Sequence, residues 1–211
     1  MEPSSNYEKL CLQWAEIIRK ADFDRLRALL PELRRNGDAI SVVHFGRTFL
    51  LDCTTGMITA ADGGDASIYE RLNIYTLLGY CREGATLTGE WVPFRDVSGA
   101  SPFAPAFDKT VLQPFAATFS GHMDGLQKAA LALGGTRLPH SDAGYLIHAF
   151  SCIPMKFLFW EGDEEFPAQA NILFDRGVTG FIHVESTVTL ASVGVCRLAQ
   201  EAGLPLAGST F

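Results

Sequence analysis

Apolar residues recur every three or four positions in the first part of the chain, a spacing that places them on one face of a helix. Residues 7–18 show this spacing most clearly and predict an amphipathic helix. A second, shorter helix is predicted within residues 23–33, with Asp22 or Asp24 as its N-cap. The same spacing predicts a third helix around residues 68–78.

Runs rich in β-branched and aromatic residues predict strands elsewhere. Residues 39–45 and 48–52 flank Gly46-Arg47 and predict a tight hairpin, and residues 86–94 favour a further strand. Three short runs separated by turn-forming residues predict a meander of neighbouring antiparallel strands: residues 144–150, 155–160 and 170–175.

The remaining periodic segments predict helices, at residues 113–120, 123–133 and 186–202. Helices and strands therefore come in blocks and do not alternate as β-α-β units. This order predicts an α+β fold with a mostly antiparallel sheet and flanking helices. Because no long polar linker interrupts the chain, we expect residues 1–211 to form a single domain.

Net charge restricts the class of partner. The chain has a formal net charge of −7, and its lysines and arginines form no cluster larger than Arg34-Arg35. Nucleic-acid binding therefore lacks its electrostatic contribution and is not expected, whereas a basic protein surface would be tolerated. No apolar stretch approaches the ~20 residues of a membrane helix, and the chain starts without signal-peptide features. We expect a cytoplasmic protein that does not enter a membrane.

Cysteines and histidines give no preorganised metal site. The five cysteines are widely spaced, and no C-x-x-C pair occurs, so no iron–sulfur cluster is expected in this chain. None of the five histidines has the spacing of a zinc motif. His148 is predicted to be a structural residue within a strand. His122 and His140 remain open as axial ligands of a tetrapyrrole.

The most distinctive segment is residues 156–167, in which an apolar run at residues 157–160 breaks into acids and is closed by Phe166-Pro167. The five residues after the run include four acids: Glu161, Asp163, Glu164 and Glu165. Clustered carboxylates repel one another unless solvent, a cation or a basic partner compensates, so this is the first place to seek function. Because the charge begins where the strand ends, we expect Trp160 to be mostly buried and Asp163 and Glu164 to be exposed.

Three interpretations of the acidic cluster remain open. As a metal site, Asp163, Glu164 and Glu165 would supply oxygen ligands, although the run lacks EF-hand spacing. An enzyme that uses this site would need a third ligand, such as Asp175 or a histidine, to converge on Asp163 or Glu165. As a contact site, the cluster would meet a ligand or a partner protein. As a solvated turn, its charges would keep a sheet edge soluble.

Residues 98–108 contain two prolines and several small residues, and predict an ordered loop that carries aromatic side chains. We expect this loop and residues 161–166 to border one pocket for a planar cofactor. The side chains expected to bind the cofactor are Arg95, Phe103, Phe107, Trp160 and Glu161. The alternative is that Phe103 and Phe107 only hold the loop against the core.

Seven motifs, in chain order, resemble an uncharacterised domain family of anaerobic bacteria and archaea: Tyr7-Glu8-Lys9, Val43-His44-Phe45-Gly46-Arg47, residues 87–96, Phe103-Ala104-Pro105-Ala106-Phe107, Leu133-Gly134-Gly135, residues 158–167 and Ile172-Leu173-Phe174-Asp175. The similarity covers nearly the whole chain. Its most specific part is the W-E-G-D-E-E-F-P segment at residues 160–167. The resemblance assigns no catalytic residue.

Some members of that family resemble fusions to an iron–sulfur module of the kind found beside corrinoid methyl-transfer proteins. The resemblance implies an anaerobic redox or one-carbon setting, with a corrinoid or other tetrapyrrole nearby. We therefore expect an accessory or binding protein that contacts such a cofactor or a cofactor-bearing partner. The alternatives are a divalent-metal-dependent enzyme that uses the acids of residues 161–165, and an oligomerising scaffold. Catalytic residues and oligomeric state stay open.

Overall fold

The structure is a computed structural model and describes residues 6–208. Residues 1–5 and 209–211 lie outside this range. The expectation that the chain starts without signal-peptide features therefore concerns residues outside the described part. The helices and strands, in chain order, are α1 (Asn6–Ile18), α2 (Phe23–Leu29), β1 (Arg34–Asn36), β2 (Ala39–His44), β3 (Arg47–Asp52), β4 (Ile58–Ala60), α3 (Ile68–Tyr80), β5 (Trp91–Pro93), α4 (Ala104–Phe107), α5 (Gln113–Phe119), α6 (Met123–Ala132), β6 (Thr136–Leu138), β7 (Ala143–Phe150), β8 (Ile153–Trp160), β9 (Gln169–Asp175) and α7 (Val184–Glu201).

Side-chain caps fix where the early helices begin. The Asp22 carboxylate accepts hydrogen bonds from the N–H groups of Asp24 and Arg25, at 3.1 and 3.0 Å, and so begins α2 as predicted. A capping box begins α3: the Glu70 N–H donates to the Ser67 hydroxyl at 3.2 Å, and the Ser67 N–H donates to the Glu70 carboxylate at 2.8 Å. Both caps occupy backbone donors that a helix leaves free.

The first sheet, sheet A, contains β1 to β4 in sequence order, with every neighbouring pair antiparallel. The predicted β2–β3 hairpin is confirmed, but its turn lies at Phe45 and Gly46, one residue earlier than expected. Both residues have positive φ, 45° and 75°, as a two-residue hairpin turn of the primed type requires. The three-residue strands β1 and β4 were not predicted, because such short segments carry no periodic signal.

The second sheet, sheet B, has the order β5-β9-β8-β7-β6 and is also antiparallel throughout. The predicted meander is confirmed: Tyr145 of β7 lies opposite Phe157 of β8, which lies opposite Ile172 of β9. The strand expected at residues 86–94 is shorter, since only β5 pairs with β9. The α+β prediction is therefore confirmed, with the strands divided between two sheets.

One core joins the two sheets. The Phe45 N–H donates to the Ala149 carbonyl across the junction at 3.0 Å. Helix α7 crosses this junction at Gly194, where an added Cβ would lie 2.7 Å from the ring of Phe157 and 2.8 Å from that of Phe45. Only glycine allows the helix to approach both sheets this closely. Within the described residues, no helix has the length and apolar character needed to cross a membrane.

The ordered loop expected at residues 98–108 is instead largely helical. A 3₁₀ turn at Ser101–Phe103 continues into α4, and a π-helical turn at Asp108–Leu112 leads into α5. Prolines in the first turn of a helix cost little, because the N–H they lack would be unpaired there. Phe107 is buried and stacks on Phe94, with ring centroids 4.1 Å apart. Phe107 therefore belongs to the core, and the alternative interpretation holds for this side chain.

Candidate functional site

The acidic segment forms a compact loop between β8 and β9 that is stabilised by its own backbone. The Asp163 carboxylate accepts hydrogen bonds from the N–H groups of Phe166 and Glu165, both at 2.8 Å. The Asp163 N–H in turn donates to the Phe166 carbonyl at 2.9 Å. These backbone donors, first Phe166 and then Glu165, lower the pKa of Asp163. Asp163 therefore acts as a turn cap.

Contacts with two neighbouring turns hold this loop in place. The Glu161 carboxylate accepts from the Gly121 N–H with both oxygens, at 3.1 and 3.2 Å, between α5 and α6. The Asp142 carboxylate accepts from the Glu161 N–H at 2.9 Å, just before β7. At Gly162 an added Cβ would lie 2.6 Å from the Ala168 nitrogen, so the loop closes only with glycine. The loop is therefore anchored through Glu161, by its side chain and by its backbone.

Two large aromatic side chains remain on the surface of this anchored loop. Trp160 is 38% exposed and Phe166 is 62% exposed. The expectation that Trp160 is mostly buried is wrong, because alternate residues of a strand point to opposite faces and Phe159 occupies the core position. Asp163 and Glu164 are exposed, as predicted.

The exposed aromatic rings border a surface cleft next to the start of β9. Its volume is ≈ 320 Å³, and it is lined by Trp160, Glu161, Phe166, Pro167 and Gln169. This size lies at the lower end of small-molecule sites. The cleft therefore combines apolar stacking surfaces with a carboxylate that is already held in place by Gly121.

The three predicted metal ligands do not converge. Asp163 and Glu165 precede β9, whereas Asp175 ends it, so the strand separates them by roughly 20 Å at 3.3 Å per residue. Among residues 6–208, no group of three or more histidine, cysteine or acidic side chains is arranged to hold a metal ion. The arrangement offers no support for metal-dependent catalysis at this loop.

Asp175 has a structural role, because its carboxylate accepts hydrogen bonds from a separate group of residues. Its buried carboxylate accepts from the N–H groups of Thr88, Gly89 and Gly177, at 2.9, 2.7 and 2.7 Å, and from the Thr88 hydroxyl at 3.0 Å. Burial opposes ionisation, but these donors outweigh it and lower the pKa of Asp175. Two motifs that lie far apart in sequence, at residues 87–96 and 172–175, are thereby joined.

The remaining predicted cofactor residues lie away from the cleft. Arg95 is exposed on a 3₁₀ turn at Phe94–Asp96, Phe103 is half-buried, and Phe107 is in the core. None of them belongs to the lining of the cleft. Of the predicted set, the structure therefore brings together Trp160 and Glu161. Phe166, which was not predicted, completes the aromatic pair.

Residues 26–197 match the model of a protein family described as a domain of unknown function, DUF3786. This range covers most of the chain. The chain belongs to the DUF3786 family. Comparisons with curated proteins and with solved structures gave no match.

The DUF3786 range includes both sheets and the loop between β8 and β9, whereas α1 precedes it. The resemblance to an uncharacterised domain family is thus confirmed at the level of the family itself. The match assigns no role to any residue, so the function of this DUF3786 chain has to be argued from its geometry.

A buried histidine in the DUF3786 range was overlooked in the sequence. His44, which is 1% exposed, lies at the junction of the sheets with Nδ1 2.9 Å from the Ala149 carbonyl and Nε2 3.2 Å from the Asn73 amide nitrogen. A carbonyl only accepts, so Nδ1 carries the proton and Nε2 accepts from Asn73. Burial lowers the pKa of His44 to about 4. The alternation of β2 identifies position 44 as inward-facing, whereas His148 is exposed.

Proposed function

We propose that this DUF3786 chain is an accessory binding protein that contacts a planar cofactor, or a partner that carries one, through the cleft between Trp160 and Phe166. The expected setting is cytoplasmic and anaerobic, in redox or one-carbon metabolism, with a corrinoid or other tetrapyrrole as the cofactor. This setting rests on the resemblance described for the sequence motifs.

The observation that carries the proposal is that the carboxylates of the loop between β8 and β9 are hydrogen-bonded within the protein, whereas its aromatic side chains are exposed. Its inner carboxylates, Glu161 and Asp163, accept hydrogen bonds from backbone N–H groups and so hold the loop rigid. Its aromatic side chains, Trp160 and Phe166, are left on the surface. Exposed aromatic side chains on a rigid loop suit stacking against a planar ring, and a rigid site loses little entropy on binding.

The negative charge beside the cleft favours the binding of one class of tetrapyrrole. Glu164 and Glu165 are exposed beside the aromatic pair, and the whole chain has a net charge of −7. These carboxylates repel the anionic propionates of a haem. A corrinoid, whose side chains are mostly neutral amides, avoids that repulsion and is expected to bind more tightly than hemin.

Titration of a cobalamin and of hemin into the purified protein, without oxygen, tests the proposal. We expect a saturable change in absorption with the cobalamin, and binding at least about tenfold weaker in a Trp160→Ala, Phe166→Ala double variant. Tyr7→Ala is the matched control, because Tyr7 is an exposed aromatic residue on α1. It should bind like the wild type.

Two results would overturn the proposal. If the folded wild-type protein binds neither the cobalamin nor hemin, the proposal that it contacts a cofactor is wrong. If a correctly folded double variant binds with undiminished affinity, the cofactor contacts a part of the protein other than this cleft. Circular dichroism of each variant distinguishes a lost contact from a lost fold.

A further inference from the structure

The loop between β8 and β9 carries negative charge that the described part of the chain does not neutralise. Among residues 6–208, no lysine, arginine or histidine forms an ion pair with the acids of this loop or of the turn beside it. These acids are Asp142, Glu161, Asp163, Glu164 and Glu165. Acids elsewhere do pair, as Asp62 does with Arg47 at 2.8 Å. The charge of the loop is therefore left to solvent or to a partner.

Backbone hydrogen bonds hold two of the loop carboxylates in place without neutralising them. Glu161 accepts from the Gly121 N–H with both oxygens, and Asp163 accepts from two N–H groups within the loop. An N–H group is a neutral dipole that favours the ionised acid, so both side chains keep their charge. The side chains of Glu164 and Glu165 are exposed beside them. An approaching cation therefore meets carboxylates that are largely fixed in position.

The aromatic rings that border the cleft lack a cation as well. On the same sheet, the half-buried Trp91 has the Lys156 ammonium 4.3 Å from its ring centre. In the part of the chain that the structure describes, no lysine or arginine lies over the ring of Trp160 or Phe166. The face of an aromatic ring is negative and attracts a cation. The cleft thus combines two features that favour a positively charged ligand.

We propose that the cleft between Trp160 and Phe166 docks an arginine side chain from a basic segment of a partner protein. The planar guanidinium stacks on aromatic faces and pairs with carboxylates, which the ammonium of a lysine does less well. Glu161, in the lining of the cleft, supplies the nearest carboxylate. This inference rests on the cleft of the proposed function and names the chemistry of the partner that docks there.

The arrangement of the acids favours a protein segment over a small molecule. Glu164 and Glu165 lie outside the lining of the cleft, so a compound that only fills the cleft leaves them without a counter-ion. Basic residues that flank the docked arginine on a segment would meet them. The net charge of −7 also attracts a basic partner from a distance. Shape and charge therefore select the same occupant.

Nuclear magnetic resonance of the protein with a short peptide of alternating glycine and arginine tests the docking. The Trp160 indole N–H resonance, assigned by its loss in Trp160→Leu, should shift saturably. The same peptide with citrulline in place of arginine keeps the length of the side chain but is neutral, and it should bind at least about tenfold more weakly. Added salt should weaken binding of the arginine peptide, because it screens the attraction between charges.

Variants separate the two contributions. Trp160→Leu and Phe166→Leu keep an apolar side chain but remove the aromatic face, and a Glu164→Gln, Glu165→Gln double variant removes two charges. Each should weaken binding of the arginine peptide at least about threefold, measured from the backbone amide resonances of the loop. The same amide spectra show whether each variant is folded.

Two exposed side chains far from the loop in the chain provide matched controls. Tyr7→Leu removes an aromatic ring on α1, and Glu185→Gln removes a charge in the first turn of α7. Both variants should bind the arginine peptide like the wild type. If they weaken binding as much as the loop variants do, the peptide responds only to the overall charge and the docking site is wrong.

Three further results would overturn the inference: no binding of the arginine peptide to the wild type, equal binding of the arginine and citrulline peptides, and equally tight binding of free arginine amide, which would indicate a small guanidinium compound. The cobalamin titration is independent of these measurements. Cobalamin binding without peptide binding rejects the arginine contact alone. Peptide binding without cobalamin binding supports the arginine contact and rejects the cofactor.

Discussion

We predict that the protein loses stability between pH 7 and pH 5, because His44 is neutral in the folded state. Burial lowers the pKa of this imidazole from 6.5 to about 4. The unfolded chain therefore takes up a proton as the pH falls through 6.5, whereas the folded chain does so only near pH 4. Proton uptake by the unfolded state favours unfolding. The contribution of His44 is thus complete above pH 6.5 and lost as the pH falls toward 4.

The size of this effect follows from the pKa shift. One pKa unit corresponds to about 1.4 kcal/mol, so the full shift amounts to about 3 kcal/mol below pH 4. Between pH 7 and pH 5 the loss should be about 2 kcal/mol, since at pH 5 most of the unfolded and little of the folded imidazole is protonated. Acids with a lowered pKa, such as Asp62 at about 2, lose their contribution only at lower pH. This window therefore isolates His44.

Urea unfolding at pH 7, 6 and 5, followed by tryptophan fluorescence, measures the effect. The wild-type protein should lose about 2 kcal/mol across the series. A His44→Gln variant keeps an amide donor but cannot titrate, so its free energy of unfolding should change by less than about 0.5 kcal/mol. Equal pH slopes in the two proteins would refute the reasoning. So would a directly measured pKa near 6.5 for His44 in the folded state.

Two further predictions concern buried groups. Asp175→Ala should reduce the free energy of unfolding by about 3 kcal/mol, because it leaves three backbone N–H groups without an acceptor. The control Glu90→Ala removes an exposed ion pair with Arg176 and should lower the free energy of unfolding far less in the same denaturation, and equal losses would contradict this account. Cys152 should react with iodoacetamide far more slowly in the folded than in the unfolded protein, because burial, followed by the Glu32 carboxylate, raises the pKa of its thiol. Mass spectrometry of the labelled peptide measures both rates, and similar rates would show that the thiol is accessible and unperturbed.

Local sequence patterns were sufficient for most of the secondary structure. The meander of β7, β8 and β9 was predictable because each strand is short, rich in β-formers and bounded by turn residues. The start of α2 was predictable to within two candidate caps, Asp22 and Asp24, since a cap acts within three residues of its helix, and the structure shows Asp22 as the cap. Each of these features depends on residues that are neighbours along the chain.

The candidate site was only partly predictable. Its location followed from the sequence, because an apolar run that breaks into clustered acids marks a strand end. The residues that make up the site could not be predicted, because they depend on which face of each strand or helix the core covers. Phe107 turned inward onto Phe94, while Trp160 turned outward since Phe159 took the core position.

The sequence by itself determined the α+β class, the antiparallel meander and the position of the acidic loop, since these depend on composition and short-range periodicity. The tertiary structure alone decided that Asp175 lies far from Asp163 and pairs with Thr88 and Gly89. It also decided that His44 is buried. The physical reason is that strand register and helix packing bring together residues distant in sequence, and only those contacts determine which polar groups lose their water.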